Sequence, residues 1–244
     1  DGCVQPALAP NINIATARVL DYLGITLIKA DRTGCCGAVV YHLNAQSDGL
    51  DYMRRNIDAW WPWVQQNNVE AIVVNASGCG VTVKEYGHLL QHDPAYALKA
   101  KTISGISRDI SEIVYLELEK LKEKFVTQSL PDRQKMKLAF HSPCTLQHGM
   151  QIRGVVEEIM CAAGFDLSYV PDAHLCCGSA GTYSILQPQL SQKLLSNKVT
   201  ALESGQPEQI ATANIGCLMH LRNQAARPVK HWIELLDERL SLCN

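Results

Sequence analysis

Gly34-Cys35-Cys36-Gly37 and Leu175-Cys176-Cys177-Gly178 repeat one short phrase, adjacent cysteines closed by glycine, and its spacing from the other cysteines decides how the chain is organised. Cys3 stands 32 residues before Cys35, and Cys144 stands 32 residues before Cys176. Downstream, a glycine-cysteine pair follows each phrase, Gly78-Cys79 at 43 residues beyond Cys36 and Gly216-Cys217 at 40 residues beyond Cys177. Of the ten cysteines only Cys161 and Cys243 fall outside this frame.

The surroundings repeat as well. Asn13 to Leu23 has the apolar periodicity of a helix ended by Gly24, and Val155 to Ala163 has the same pattern ended by Gly164. Short strand-like runs follow, Ile25 to Ile28 and Leu167 to Val170, each leading to its Cys-Cys-Gly phrase. A second helix is predicted from about Leu50 to Asn67, carrying Trp60, Trp61 and Trp63, and from about Gln189 to Leu202 in the other copy. Apolar strands, Ala71 to Val74 and Gln209 to Ala213, then lead to Cys79 and Cys217. The order strand, helix, strand, helix, strand predicts an α/β fold of two pseudo-symmetric repeats, each a mostly parallel sheet flanked by helices, with the cysteines in loops at the carboxyl ends of strands. Three loops so far apart in sequence can meet only if adjacent strands deliver them to one place.

Ile106 to Phe125 reads as a charged amphipathic helix and 127–135, with Pro131 and Asp132, as a linker. The predicted units are therefore residues 1–126, the linker 127–135, and residues 136–244. The second copy opens with a strand from Met136 to His141, for which the first copy has no room before Cys3. The expectation is a C-terminal part of a longer protein.

The 244 residues are 47% hydrophobic and 19% charged with net charge −2, an ordinary globular composition that gives no reason to expect nucleic acid. No run approaches the roughly 20 apolar residues of a membrane span, and Asp1-Gly2-Cys3 does not begin like a signal peptide, so the expected place is the cytoplasm. In a reducing compartment clustered thiols are metal ligands or redox groups more often than disulfides. Four thiolates per half, Cys3, Cys35, Cys36 and Cys79, then Cys144, Cys176, Cys177 and Cys217, match the ligand count of a [4Fe-4S] cluster and also of zinc. The glycines permit a tight turn close to such a core. Cys161, on the apolar face of a helix, and Cys243 read as small hydrophobes. His141, His148 and His174 lie near framework cysteines and are candidates for a hydrogen bond to a sulfur, although a satisfied loop histidine is as common. The three tryptophans read as packing residues before they read as a partner surface, and Asn75 and Asn214 as caps.

These cysteine sets resemble the tandem CCG domains of the heterodisulfide reductases and their relatives. Residues 34–46, 56–61, 174–183, 212–217 and 231–234 resemble the iron-sulfur subunits of glycolate oxidases in particular. The resemblance implies eight cysteine ligands, one [4Fe-4S] cluster per half with zinc possible in one, and electron transfer toward a quinone or other membrane acceptor. It also implies flavin-containing glycolate oxidase subunits as partners carrying the FAD, an N-terminal ferredoxin-like domain outside this chain, and a site peripheral to the inner face of the cell membrane. The fuller pattern closes in C-x-x-C; Ala76 and Asn214 stand where its first cysteine would be, so a five-thiolate noncubane cluster is not expected. A thiol or heterodisulfide reductase would instead need a cleft beside Cys36 or Cys177, taken as the more exposed of each pair, and a zinc-bound scaffold would only dock flavin subunits.

Overall fold

The computed structural model describes residues 2–127 and 135–242. In the first half the chain forms α1 (Gln5–Leu8), α2 (Pro10–Tyr22), α3 (Ala38–His42), α4 (Gln46–Gln65), β1 (Ile72–Val74), α5 (Ser77–Leu89), α6 (Ala97–Ile106), β2 (Ser107–Asp109), α7 (Ile110–Leu116) and α8 (Leu118–Thr127). The second half forms β3 (Lys137–His141), a single π turn (Thr145–Gly149), α9 (Val155–Ala162), β4 (Asp166–Leu167), α10 (Tyr183–Leu186), α11 (Pro188–Glu203), β5 (Gln209–Thr212), α12 (Ile215–Arg222), β6 (Val229–His231) and α13 (Trp232–Ser241).

All strand pairs are parallel. The second half holds a four-stranded sheet in the order β4-β3-β5-β6, and the first half a two-stranded one of β1 and β2. The carboxyl ends of β4, β3 and β5 lie side by side, which brings the loops carrying Cys176 and Cys177, Cys144 and Cys217 to one place. Both sheets are flanked by helices, as the alternating pattern predicts.

Two sequence expectations fail in detail. Residues 25–28 form no strand, because none of the described residues supplies a ladder of hydrogen bonds to them. The predicted helix from Ile106 to Phe125 is broken twice. Ser107 to Asp109 pairs with β1 instead, and Asp109 then starts α7 with a capping box: its carboxylate accepts from Ser111 N at 2.9 Å and Glu112 Oε2 accepts from Asp109 N at 2.8 Å. The helix ends again at Glu117 before α8 begins. The linker 127–135 falls largely on 128–134, which lies outside the described residues, as does Cys243.

The cores do not follow the two copies one to one. The larger joins Leu138, Ala139, Ile210 and Ala211 of the four-stranded sheet and Trp232, Ile233 and Leu236 of α13 to Ile12, Val19 and Leu20 of α2 and Ile110, Val114 and Leu121 of α7 and α8. Each large apolar side chain buried there contributes about 1.5–3 kcal/mol, and this shared burial holds α2 against α13 of the other copy. The smaller core is built by Met53 and Ile57 of α4, Val83 and Tyr86 of α5, and Ala100 and Ile103 of α6, with Cys36 at its edge.

Candidate metal centres

The thiols in each half lie close enough to perturb one another's protonation: Cys3 with Cys35, Cys35 with Cys36 and Cys36 with Cys79 in the first, Cys144 with Cys176, Cys176 with Cys177 and Cys177 with Cys217 in the second. The eight framework cysteines are thus brought together four by four, in the same order. Cys35-Cys36 and Cys176-Cys177 lie in loops, Cys144 is the N-cap of the π turn, and Cys79 and Cys217 sit at the carboxyl ends of β1 and β5 in the first turn of α5 and α12.

The glycine of each phrase is required twice over. Gly37 has φ +89° and Gly178 φ +91°, and a Cβ there would meet the carbonyl oxygen of Gly49 at 2.6 Å and of Ser191 at 2.5 Å. The turn this permits aims Gly37 N at Cys35 Sγ (3.5 Å) and Gly178 N at Cys176 Sγ (3.3 Å), so in both halves a backbone N–H donates to the first sulfur of the pair.

The helix behind each loop grips it from one equivalent position. Seven residues beyond Gly49, Asn56 accepts from Gly34 N at 2.9 Å and donates to Cys35 O at 2.8 Å, while Tyr86 Oη donates to Cys36 O at 2.9 Å. Seven residues beyond Ser191, the buried Lys198 donates to Asp172 O at 2.8 Å and Ala173 O at 3.3 Å, and Ser191 Oγ donates to Gly178 O at 2.9 Å. Asn56 lies 19 residues beyond Gly37 and Lys198 20 beyond Gly178, so the sequence alone does not pair them, and nothing in it points to Tyr86.

The two thiol sets lie at the junction of the halves. Asn214 Oδ1 accepts from Gly78 N at 3.1 Å while its Nδ2 donates to Cys217 Sγ at 3.6 Å. Ser77 Oγ hydrogen-bonds Thr145 Oγ1 at 2.8 Å, and Ser77 N donates to Ala213 O at 3.3 Å. Asn214 is the N-cap of α12 but makes no side-chain cap, and Asn75 does not cap α5; its amide donates to Asn13 and Thr16 of α2.

Of the three histidines near the cysteines, only His141 is part of a thiol group. At the end of β3 and 2% exposed, it has a ring nitrogen mutually within 4.8 Å of Cys177 Sγ and Cys217 Sγ. His148 and His174 are exposed, and the His148 ring instead meets the His174 carbonyl at 3.2 Å. Of the tryptophans, Trp60 stacks on Tyr86 with ring centroids 6.5 Å apart, and Trp61 and Trp63 are only partly covered.

Crowding governs the protonation of the thiols. Burial and the hydrogen bond to Cys35 raise Cys3; the hydrogen bond to Cys36 and burial raise Cys35; and in Cys36 the hydrogen bond from Cys35 pulls downward but the bond to Cys79 and burial prevail, to about 12. Cys79, at the accepting end, is lowered by the hydrogen bond from Cys36. In the second half Cys144 and Cys177 are raised by their hydrogen bonds to Cys176, which is lowered by accepting both. Burial and then the Lys198 charge hold His141 down at about 4, a neutral imidazole. So many thiols kept protonated by one another form thiolates together only around positive charge, which a bound metal supplies.

The sequence profile of the CCG cysteine-rich domain matches residues 1–84 and again 138–222. The chain belongs to the CCG family. Over 98% of its length it is 52% identical to the glycolate oxidase iron-sulfur subunit of Escherichia coli K12, covering 57% of that protein. It is 29% identical over 91% of its length to the probable glycolate oxidase iron-sulfur subunit of Bacillus subtilis, covering 48% of it, and 27% identical to lactate utilization protein A of Bacillus velezensis with 97% of both chains aligned. The chain spans about half the length of the glycolate oxidase relatives it matches.

Two readings of individual CCG cysteines are corrected. Cys36 (8% exposed) and Cys177 (1%) are the buried members of their pairs and Cys35 and Cys176 the more exposed, because the second cysteine faces the helix whose carbonyl touches the following glycine. Cys161 is exposed on α9, since the buried face of that helix is made by Val156, Ile159 and Met160.

Proposed function

We propose that the chain is the electron-carrying part of an iron-sulfur subunit in a flavin-dependent 2-hydroxy-acid dehydrogenase, with glycolate as the substrate of the complex. The observation that carries this is the pair of four-thiol sets, each with an N–H donor on one sulfur and a glycine-lined turn close against it. Cys3, Cys35, Cys36 and Cys79 would hold one [4Fe-4S] cluster, and Cys144, Cys176, Cys177 and Cys217 the other. Such clusters supply reversible one-electron transfer. The chain's own residues hold the thiolates in place: Asn56, Tyr86, Lys198 and Ser191 fix the loops, Gly37 and Gly178 donate to sulfur, and Cys36 and Cys177 close the inner side of each set against water.

The names of the relatives support glycolate, as do the shared stretches; the FAD and the oxidation of glycolate to glyoxylate belong to partner subunits. An N-terminal ferredoxin-like domain outside this chain, a quinone-linked acceptor and a position on the inner face of the cell membrane complete the proposal. No helix of the described residues is long and apolar enough to cross a membrane. The repeat units 1–126 and 136–244 joined by 127–135 are part of the same reading. Reduction of a disulfide substrate at Cys36 or Cys177 is opposed by the burial of both thiols.

The test is iron and acid-labile sulfide analysis, with electron paramagnetic resonance, of the complete polypeptide purified without oxygen. Iron and sulfide in equal amounts, about four of each lost when either cysteine set is removed, is the expected result. Zinc without labile sulfide in both sets would overturn the electron-transfer reading.

A further inference from the structure

His141 is a buried polar group with one ring nitrogen that the fold leaves unmet. It closes β3 opposite Thr212 of β5, with which it is paired in the sheet. Its Nδ1 lies 3.2 Å from Thr212 Oγ1, and with the N–H of that nitrogen donated to the hydroxyl, Nε2 keeps a free lone pair. No donor or acceptor meets Nε2, although the side chain is almost fully buried. Leaving a buried polar atom unmet is costly, and such an atom calls for a partner the fold itself does not supply.

The neighbours of the ring point to that partner. The ligand atoms of His141, Cys177 and Cys217 lie mutually within 4.8 Å, and this is the only such group among the described residues. A ring nitrogen of His141 stands beside two thiols while the ring is held through Thr212, which are the elements of a metal-ligating histidine and its orienting group. The first half lacks the anchor: counting back from Cys79 and Cys217, Val74 occupies the place of Thr212 and has no hydroxyl to hold a ring.

The geometry points to His141 as a nitrogen ligand of the second-half metal centre, oriented by Thr212 and taking the place of one of the four thiolates assigned above, so that this centre has mixed thiolate and imidazole ligation. The inference rests on the second-half thiols holding a metal, as proposed above. Imidazole in place of thiolate raises a cluster's reduction potential, so the two centres would differ in potential as well as in ligands.

The experiment uses the complete polypeptide, purified without oxygen from cells fed ¹⁵N-histidine. X-ray absorption is recorded at the edge of the bound metal, and pulsed electron paramagnetic resonance on the reduced protein. A nitrogen scatterer at ligand distance and a ¹⁵N coupling on one centre are expected. Both are lost in His141→Phe and retained in His148→Phe, while His141→Cys keeps the metal and lowers the potential of that centre. Thr212→Val carries the first half's own residue and so tests the idea without removing the ring: the nitrogen coupling should change. A wild-type protein with metal on the second thiol set but no histidine coupling overturns the inference and leaves the proposed function standing, as does a coupling unaltered in both His141→Phe and Thr212→Val. If Cys177→Ser leaves the metal content unchanged, the second set holds no metal and the proposed function falls with the inference.

Discussion

The two halves build the same thiol frame and then furnish it differently. Both have a positive-φ glycine touching a helix carbonyl and donating to the first sulfur of the pair. Around that constant part, the loop-gripping residue is a neutral amide, Asn56, in one half and an ammonium, Lys198, in the other, where Lys198 interacts electrostatically with Cys176, Cys177 and Cys217. The strand end is Val74 in one and Thr212 in the other, and only the latter anchors a histidine. Cys3 is exposed where its counterpart Cys144 is half-buried. The shared elements are those needed to hold four sulfurs at all. The differing ones set the charge and polarity around them, so two copies of one frame can hold centres with different electronic properties.

The harshest way to break the comparison is to remove one sulfur from each half. Cys36→Ser and Cys177→Ser should each empty only their own set, leaving roughly half of the metal held by the eight framework cysteines. Metal analysis beside the resonance spectra of both variants checks this. Loss of all metal from either variant would mean that the contacts across the junction, Asn214 to Gly78 and Ser77 to Thr145, make the two sets a single unit.

Next comes the glycine turn. Gly37→Ala and Gly178→Ala each force a side chain into left-handed backbone, costing about 1–2 kcal/mol, and push a Cβ to within 2.6 Å of a helix carbonyl, adding about 1–3 kcal/mol. Gly24→Ala shares the positive φ, +79°, but meets nothing within 4 Å, so it should cost only the first part. Denaturant unfolding of the three variants gives the contrast, and equal losses in all three would mean that the close approach contributes nothing.

Much of this frame was legible in the sequence because it rests on covalent spacing and backbone chemistry. The repeat of Cys-Cys-Gly at matched distances from the flanking cysteines fixed which thiols belong together, and the alternation of apolar runs fixed a parallel α/β arrangement. What stayed hidden depends on pairing across the chain. Ser107 to Asp109 looks helical by periodicity and becomes a strand only because β1 lies beside it, with the capping box at Asp109 and Glu112 restarting the helix. Residues 25–28 have strand composition and no ladder partner. The free nitrogen of His141 cannot be seen without knowing that Thr212 is its neighbour in the sheet, and the exposure within each cysteine pair depends on which face the next helix covers.

A gentler intervention exchanges the gripping residues. Lys198→Asn removes the positive charge from the second thiol set, and its reduction potential should move to more negative values while the first centre's holds still; Asn56→Lys should move the first centre the other way. Lys198→Asn also gives up two hydrogen bonds to loop carbonyls and should cost about 1–3 kcal/mol in unfolding experiments. Potentiometric titrations followed by resonance spectra read the shifts separately. If both centres move together in Lys198→Asn, the charge does not belong to one half and the contrast drawn from it fails.

The smallest effect contrasts the residues that start the helix after the last strand of each copy. Asp109 and His231 both end a buried strand and both form a capping box, with Glu112 and Glu234. Burial raises Asp109 from 3.8 to about 6, with Glu112 pushing the same way and Lys84 opposing. Burial lowers His231 from 6.5 to about 3, although the carbonyls of Ala213 and Asn75 favour its charged form. For Asp109 the folded state holds the proton more tightly, so its contribution is present below about pH 4 and is lost as pH rises through 6. For His231 the unfolded state binds the proton first, so its contribution is present above pH 6.5 and is lost as pH falls toward 3. Between about pH 4 and 6 the two slopes oppose, each at most about 1.4 kcal/mol per pH unit. Asp109→Asn should therefore leave a protein whose stability, relative to the parent, climbs with pH across this window, and His231→Asn one whose relative stability declines. Urea unfolding at three pH values within the window measures both differences. Flat differences would mean that neither cap titrates where its burial places it, and that the two copies are alike at this point after all.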